Sequence, residues 1–217
     1  MKKLLLSAFV ICLAGTSIAQ ESPLWMRHCA LSPDGTTIAF TYKGDIYTVP
    51  STGGRATQIT TNPAFDTEPV WSPDSKQIAF ASDRMGSLDV FVVSSEGGAP
   101  QRLTTHSGSE KPVAYKDNKH ILFTANIAPS AEDAGFPSGQ FQQVYEVAVT
   151  GGRPAMFSSM PMECISINKE GVMLYQDKKG YEDYWRKHQV SPIARDIWTY
   201  TPGKKPVYQK QTTFGGE

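Results

Sequence analysis

The sequence contains few residues whose types and spacing match a known catalytic or metal-binding motif. The chain has no Gly-x-Ser-x-Gly elbow for a serine nucleophile and no His-Glu-x-x-His pair for zinc. It also lacks a Gly-x-x-x-x-Gly-Lys phosphate loop and a calcium loop of alternating carboxylates. We therefore predict that this chain carries no catalytic residue, no cofactor and no metal site.

Among the four histidines, His188 has the most suggestive surroundings. It lies in residues 178–189, where aromatic side chains are interleaved with both kinds of charge. Such a loop can bind a peptide or pack on a neighbouring domain, so the candidate contact residues are Tyr184, Trp185, Arg186 and His188. The alternative is a solvated loop that Tyr184 and Trp185 anchor. The other histidines are predicted to be ordinary surface residues: His28, His106 and His120.

Three aspartates recur at one point of a repeated pattern: Asp45, Asp89 and Asp196. They could form a ring of carboxylates. An acidic residue that appears once per repeat is more often a device at a turn or strand edge, and we favour that interpretation.

An internal repeat supplies the elements that would position these residues. Each unit contains a Ser-Pro-Asp-type turn, an Ile-Ala-Phe-type strand, an Asp-Ile-Tyr-type strand and a Gly turn. The first two turns are the clearest copies, with Pro33 and Pro73 separated by 40 residues. Degenerate copies begin near Ala114 and Ile167. The units cover about residues 24–61, 68–105, 111–158 and 163–213.

The repeat predicts four short strands per unit. Ser-Pro-Asp-Gly suits a type I turn, because proline presets φ near −65° at the second position and glycine fits the last. A double glycine supplies the positive φ angles of a tight hairpin. Repeats of about 40 to 45 residues with four strands are typical of β-propellers, in which stacked blades bury one another's faces. A β-sandwich is the rival fold, but it gives no reason for one turn sequence to recur.

We therefore predict an all-β propeller of four-stranded antiparallel blades, with about four blades in residues 20–217. The last unit ends at Thr213, and residues 214–217 resemble the start of another blade. We interpret the chain as an incomplete part of a six-bladed propeller. Such a part would leave two blade faces uncovered and would tend to self-associate.

The N-terminus has the three-part layout of a secretory signal peptide. Two lysines precede an apolar run that ends in small residues, which predicts a signal over residues 1–19 with cleavage after Ala19. The apolar run is too short for a membrane-spanning helix. We expect an exported protein, either periplasmic or extracellular, with no membrane insertion.

Composition limits the possible partners. Without the two N-terminal lysines the chain has 19 basic and 21 acidic residues and no long block of either charge, which argues against nucleic acid as a partner. Two cysteines lie beyond the signal, Cys29 and Cys164. Because they open non-neighbouring units, we expect no disulfide between them and predict two buried thiols.

The repeat resembles the propeller repeat of TolB-type and tricorn-protease-type proteins. A more specific resemblance, to the N-terminal propeller of secreted bacterial tricorn-like serine peptidases, rests on residues 179–183 (KGYED), 186–188 (RKH) and 194–198 (ARDIW). The third unit departs from the pattern, with Gln143 at the aspartate position and Lys116 at the proline position.

This resemblance implies a longer parent protein. Such peptidases have a six-bladed propeller, a second propeller, a PDZ-like module and a C-terminal serine peptidase domain, so none of their catalytic residues maps onto this chain. The implied role is to filter or dock peptide or protein substrates for downstream domains of the same parent, which can also form homo-oligomers. The alternatives are a stand-alone TolB-like periplasmic binding propeller and the propeller of another hydrolase, either prolyl-oligopeptidase-like or an amidohydrolase.

Overall fold

The computed structural model describes residues 25–127, 142–177 and 195–213. In these ranges all regular secondary structure is β-strand, arranged as four antiparallel sheets of four strands each. The predicted propeller with four-stranded antiparallel blades is confirmed. No helix in the described residues could span a membrane.

The four blades follow one another along the chain, and strands that are adjacent in sequence are adjacent in each sheet. Blade 1 contains β1 (Arg27–Leu31), β2 (Thr37–Tyr42), β3 (Asp45–Pro50) and β4 (Thr57–Gln58). Blade 2 contains β5 (Asp66–Trp71), β6 (Gln77–Ser82), β7 (Asp89–Ser94) and β8 (Gln101–Arg102). Blade 3 contains β9 (Lys111–Asp117), β10 (His120–Ala125), β11 (Gln143–Ala148) and β12 (Ala155–Ser158). Blade 4 contains β13 (Met162–Ile167), β14 (Met173–Asp177), β15 (Ile197–Thr201) and β16 (Val207–Lys210).

The turn between the first and second strands is held by a serine and an aspartate. In blade 2 the Ser72 hydroxyl donates to Asp74 Oδ1 at 2.6 Å and accepts from the Gln77 N–H at 2.9 Å. Blade 1 repeats the serine–aspartate bond at 2.6 Å. The next position has a positive φ, 75° for Gly35 and 61° for Ser75, so the second copy keeps the left-handed geometry without glycine. The predicted turn chemistry is therefore observed in both clear copies.

The hydrophobic core lies between consecutive blades. Each blade has a forward face, which packs on the next blade, and a rear face, which packs on the preceding one. The forward face of blade 1, with Ala39 and Ile46, packs on the rear face of blade 2, with Trp71, Ile78 and Phe80. The same contact joins Ala79 and Val90 of blade 2 to Tyr115, Ile121 and Phe123 of blade 3. It joins Leu122 and Val144 of blade 3 to Met173 and Tyr175 of blade 4.

Candidate functional site

The first strands of the four blades surround a cavity at the centre of the structure. Strand β1 contacts β5, β5 contacts β9, and β9 contacts β13. The cavity between them has a volume of about 810 Å³. Propeller blades are arranged around a central channel, and the contacts between the first strands place these strands beside it. This cavity is the candidate functional site.

The cavity is lined by apolar and polar residues in similar measure, and the charged and amide side chains form its rim. The apolar lining is contributed by all four first strands: Leu31, Val70, Trp71, Val113, Ile165 and Ile167. The charged and amide residues belong to the end of β9 and to the turns that follow β9 and β13: Lys116, Asp117, Asn118, Asn168 and Lys169. At this mouth Lys116 Nζ is paired with Glu146 Oε2 at 2.7 Å, and Asp117 contacts His120 Nδ1 at 3.0 Å. An apolar wall with a paired, polar rim can accept an extended chain through van der Waals contact rather than through one fixed charge.

Polar contacts between blades fix the first strands relative to one another. The Trp71 indole N–H donates to the Ala30 carbonyl at 3.0 Å, which joins blade 2 to blade 1. Lys111 Nζ of blade 3 lies 2.8 Å from Glu68 Oε1 of blade 2. These contacts fix the spacing between the blades that form the cavity wall. A change in that spacing would alter the width of the cavity.

A β-bulge recurs in the first strands. Registers shift in β1, β5 and β13, and in each case the residue three positions before the strand end has a positive φ: 52° for His28, 54° for Glu68 and 53° for Cys164. The register of β9 in blade 3 shifts at the equivalent place, between Pro112 and Ala114, but there the proline ring of Pro112 excludes a positive φ. This feature was not predicted from the sequence, because His, Glu, Pro and Cys share no chemistry and are related only by their equal spacing from the turn that follows.

The prediction that Cys29 and Cys164 are buried is wrong. Both thiols are free and exposed. Cys29 lines the central cavity, and Cys164 is itself the bulge residue of β13. The prediction treated the start of a first strand as core, whereas the bulge turns this part of the strand away from the packed face.

The recurring aspartates act within blades and do not form a ring. Asp45 accepts from the Thr60 hydroxyl at 3.3 Å, and Asp196 accepts from the Thr212 hydroxyl at 2.8 Å. Asp89 pairs with Arg102 at 2.9 Å. Each carboxylate thus ties the third strand to the segment at or just after the fourth strand, which is the strand-edge role that the sequence predicted. Burial raises the pKa of Asp45.

Two buried acids that the sequence analysis missed occupy one position at the start of successive blades. The Asp66 N–H donates to the Gly44 carbonyl and the Glu110 N–H to the Leu88 carbonyl, both at 2.7 Å. Asp66 is bound through both oxygens by Arg84, at 3.1 Å each. Glu110 is fully buried, and the groups that approach its carboxyl are the Thr104 side chain and the His106 backbone. Burial raises its pKa to about 7.

The third blade's Gln143 stands where the other blades have aspartate. It is buried at the start of β11, opposite Ala125, and its side-chain oxygen has no partner among the described residues. Glutamine in place of aspartate therefore leaves β11 in place, but blade 3 lacks the carboxylate that ties the third strand to the fourth in the other blades.

The predicted contact residues Tyr184, Trp185, Arg186 and His188 lie outside the described residues. The ends of that insertion are joined, because the Asp196 N–H donates to Asp177 Oδ1 at 2.7 Å and the Asp177 N–H donates to the Asp196 carbonyl at 3.0 Å. The remaining histidines are not brought together: His106 Nδ1 accepts from the Gly108 N–H within its own turn, at 3.0 Å. Within residues 25–127, 142–177 and 195–213, no three histidine, cysteine or acidic side chains are grouped so as to hold a metal ion.

Comparison with known proteins identifies the family. Residues 23–214 match the family described as the tricorn protease N-terminal beta propeller domain. The chain belongs to this family. Tricorn protease homolog 1 of Streptomyces coelicolor is 39% identical over 77 residues, which are 36% of this chain and 7% of that protein.

Solved propellers share the architecture. The tricorn protease crystal structure superposes with a TM-score of 0.65 and 16% identity, over 90% of this chain and 19% of that one. TolB from Acinetobacter baumannii superposes with a TM-score of 0.61 and 21% identity, over 87% of this chain and 44% of that one. At these identities the likeness concerns the fold alone. The chain covers less than half of each of these proteins.

Proposed function

We propose that this chain is the non-catalytic N-terminal propeller of an exported tricorn-like serine endopeptidase. In this role its central cavity filters or docks extended peptide substrates for a protease domain elsewhere in the parent protein. Family membership supports the protease context. The observation that carries the site is the cavity of about 810 Å³ between the four first strands, which combines apolar side chains from all four strands with a polar rim.

The shape of the cavity favours an extended peptide over a folded protein. An extended strand rises about 3.3 Å per residue and is a few ångströms thick, so it can lie along the first strands, whereas a folded domain is far too wide. An apolar wall binds such a peptide through burial of its side chains and leaves sequence selectivity low. Docking by this cavity would therefore select substrates by conformation.

The cavity can be tested with a matched pair of cysteine variants. Cys29 lines the cavity and Cys164 does not, although both are exposed and both lie in first strands. Cys29→Trp should weaken binding of a fluorescein-labelled, unstructured apolar peptide by about tenfold or more, since the indole would occupy the peptide's volume. Cys164→Trp should leave the affinity close to that of the wild type. The measurement is fluorescence anisotropy on the 217-residue chain.

Equal effects of the two substitutions, or equal binding of a folded protein and an unstructured peptide, would contradict the proposal that the cavity selects extended peptides.

The protease context is tested separately by reading the coding DNA beyond the codon for Glu217. Continuation into a serine peptidase domain supports it. A stop codon at that point would instead assign the chain to a stand-alone binding propeller. Sequencing the N-terminus of the secreted protein tests export, with cleavage after Ala19 expected.

A further inference from the structure

The junction between blades 1 and 2 contains a cavity of about 380 Å³ that differs from the central one. This interblade cavity lies at the edge of the propeller that carries the turns after the first strands. Small-molecule sites commonly have volumes of about 300 to 1,000 Å³, so the interblade cavity is large enough for a small ligand. Both blades contribute lining residues: Thr48, Arg55, Thr57, Trp71, Ser75 and Glu96.

Blades 1 and 2 are joined at this edge by a hydrogen bond whose equivalent joins blades 2 and 3. The Asp34 N–H of the first turn donates to Ser75 Oγ of the second at 3.3 Å. The Asp74 N–H of the second turn donates to Asn118 Oδ1 of the third at 3.1 Å. Because the turns are docked in the same way, the two junctions can be compared position by position.

At a second position the two junctions differ. Between blades 2 and 3, Gln101 Nε2 donates to the Thr150 carbonyl at 3.2 Å. The equivalent residues between blades 1 and 2 are Thr57 and Glu96. Thr57 and Gln101 occupy the same register position of their fourth strands, and Glu96 precedes a double glycine as Thr150 does. Threonine is too short to span the gap that glutamine spans, and the interblade cavity is the space that remains.

Three side chains that line the interblade cavity lack partners in the described part of the chain. Thr48 is only 8% exposed, and its hydroxyl makes no hydrogen bond there. A buried hydroxyl group without a partner is unfavourable, so this group favours a ligand that can bond to it. Arg55 of blade 1 and Glu96 of blade 2 likewise form no ion pair within residues 25–127, 142–177 and 195–213. One cation, one anion and one buried hydroxyl therefore line the same space.

We propose that the interblade cavity binds a small zwitterion, either a free α-amino acid or a dipeptide. The carboxylate of the ligand accepts hydrogen bonds from the Arg55 guanidinium, whose planar fork matches a carboxylate. The ammonium of the ligand donates to Glu96, and the Thr48 hydroxyl gains a polar partner. The ligand thus supplies to this junction the polar bridge that Gln101 supplies to the next one.

The lining disfavours other classes of small ligand. A simple anion would meet the Glu96 carboxylate and a simple cation the Arg55 guanidinium, so each would gain one attraction and one repulsion. A neutral saccharide would leave both charges unpaired. Trp71 also offers it little ring surface, because this side chain is buried and its indole N–H is bound to the Ala30 carbonyl. Zwitterion binding requires neither the central cavity nor a downstream domain, so it is independent of the proposed function.

Binding can be measured by heteronuclear NMR titration of the 217-residue chain with alanine and with alanyl-alanine. We expect at least one of the two to shift the amide signals of Thr48, Thr57 and Glu96 in a saturable way. Blocked forms of that ligand, with the ammonium acetylated or the carboxylate amidated, keep similar size and lose one charge. Each blocked form should bind about tenfold or more weakly, because one charge-assisted contact is lost.

Three substitutions and one matched control locate the site. Arg55→Gln and Glu96→Gln each remove one charge and should raise the Kd by about tenfold or more. Thr57→Gln introduces the side chain that closes the next junction and should abolish binding by filling the cavity. Arg153→Gln should bind as the wild type does, because Arg153 follows a double glycine as Arg55 does but does not line this cavity. All four side chains are exposed, and far-ultraviolet circular dichroism establishes that each variant is folded.

Four results would overturn the proposal: no saturable binding of either zwitterion, equal binding of the blocked forms, equal weakening by Arg55→Gln and Arg153→Gln, or undiminished binding to folded Thr57→Gln. Saturable shifts of the same amide signals by maltose, with none by alanine or alanyl-alanine, would assign the interblade cavity to a neutral saccharide instead.

Discussion

Glu110 should make the propeller less stable as the pH rises through neutrality. Its carboxyl group is fully buried at the start of blade 3. Burial raises its pKa to about 7, and the negative charge of Asp89 acts in the same direction. Hydrogen bonds from Thr104 and His106 and the charge of Arg102, which is paired with Asp89, act in the opposite direction but do not outweigh burial. The native fold therefore favours the protonated, neutral form of Glu110.

The size and sign of the effect follow from the two pKa values. In the unfolded chain Glu110 loses its proton near pH 4.5, and in the folded chain near pH 7. Between these values the folded state holds more protons than the unfolded state, so the free energy of unfolding falls as the pH rises. The stability contribution is fully present below about pH 4.5 and is lost above about pH 7. A shift of this size corresponds to about 3 kcal/mol.

Glu110→Gln should remove this dependence, because glutamine keeps nearly the same shape and carries no charge at any pH. We expect the variant to match the wild type near pH 4 and to exceed its stability by up to about 3 kcal/mol near pH 8, or by on the order of 10 °C in Tm. Urea unfolding followed by tryptophan fluorescence at several pH values measures the difference. Other acids cancel in the comparison, since both proteins contain them.

Asp66 provides the matched control, because it occupies the same position in blade 2 but is bound by Arg84. Asp66→Asn should destabilise the protein by about 3 kcal/mol at neutral pH, since it leaves a largely buried guanidinium without its partner. Replacing the acid by its amide is thus expected to stabilise the protein at position 110 and to destabilise it at the equivalent position 66. Parallel stability–pH curves for the wild type and Glu110→Gln would refute the reasoning, as would a destabilised glutamine variant at pH 8.

Three further outcomes follow from the described contacts. Trp71→Phe should lower the free energy of unfolding by about 1 to 2 kcal/mol in urea titrations, because it removes the indole N–H that donates to the Ala30 carbonyl. Ser72→Ala should cost about 1 kcal/mol or more by the same measurement, since its hydroxyl holds the turn by bonding Asp74 and the Gln77 N–H. The exposed Cys164 thiol should react with Ellman's reagent in the native protein, and protection until unfolding would contradict its observed exposure.

The blades could be predicted from the sequence because the contacts that define them join residues that are close together in the chain. The Ser72 turn, the left-handed position at Gly35 and the strand-edge Asp45 each act within about fifteen residues of their partners. Such features recur in the sequence at the spacing of the structural repeat, so their positions could be read without knowledge of the packing.

The remaining features depend on packing between blades. The exposure of Cys29 and the burial of Glu110 are set by how first strands meet around the axis, and no residue pattern records that geometry. The ion pair between Glu68 and Lys111 joins residues 43 apart in different blades. The bulge at His28 is specified by backbone register rather than by residue type. Residues close together in the sequence therefore predict the blades, whereas the cavity depends on contacts between blades.

The order of strands within the sheets has a consequence for how the chain folds. Every sheet in the described residues is completed by strands that are consecutive in sequence, and no strand from one end of the chain completes a sheet at the other. A blade can therefore form as soon as its own residues have left the ribosome. Low sequence separation between pairing partners also favours rapid folding. The propeller can be built from the N-terminus onward, one blade on the previous blade, without waiting for the rest of the chain.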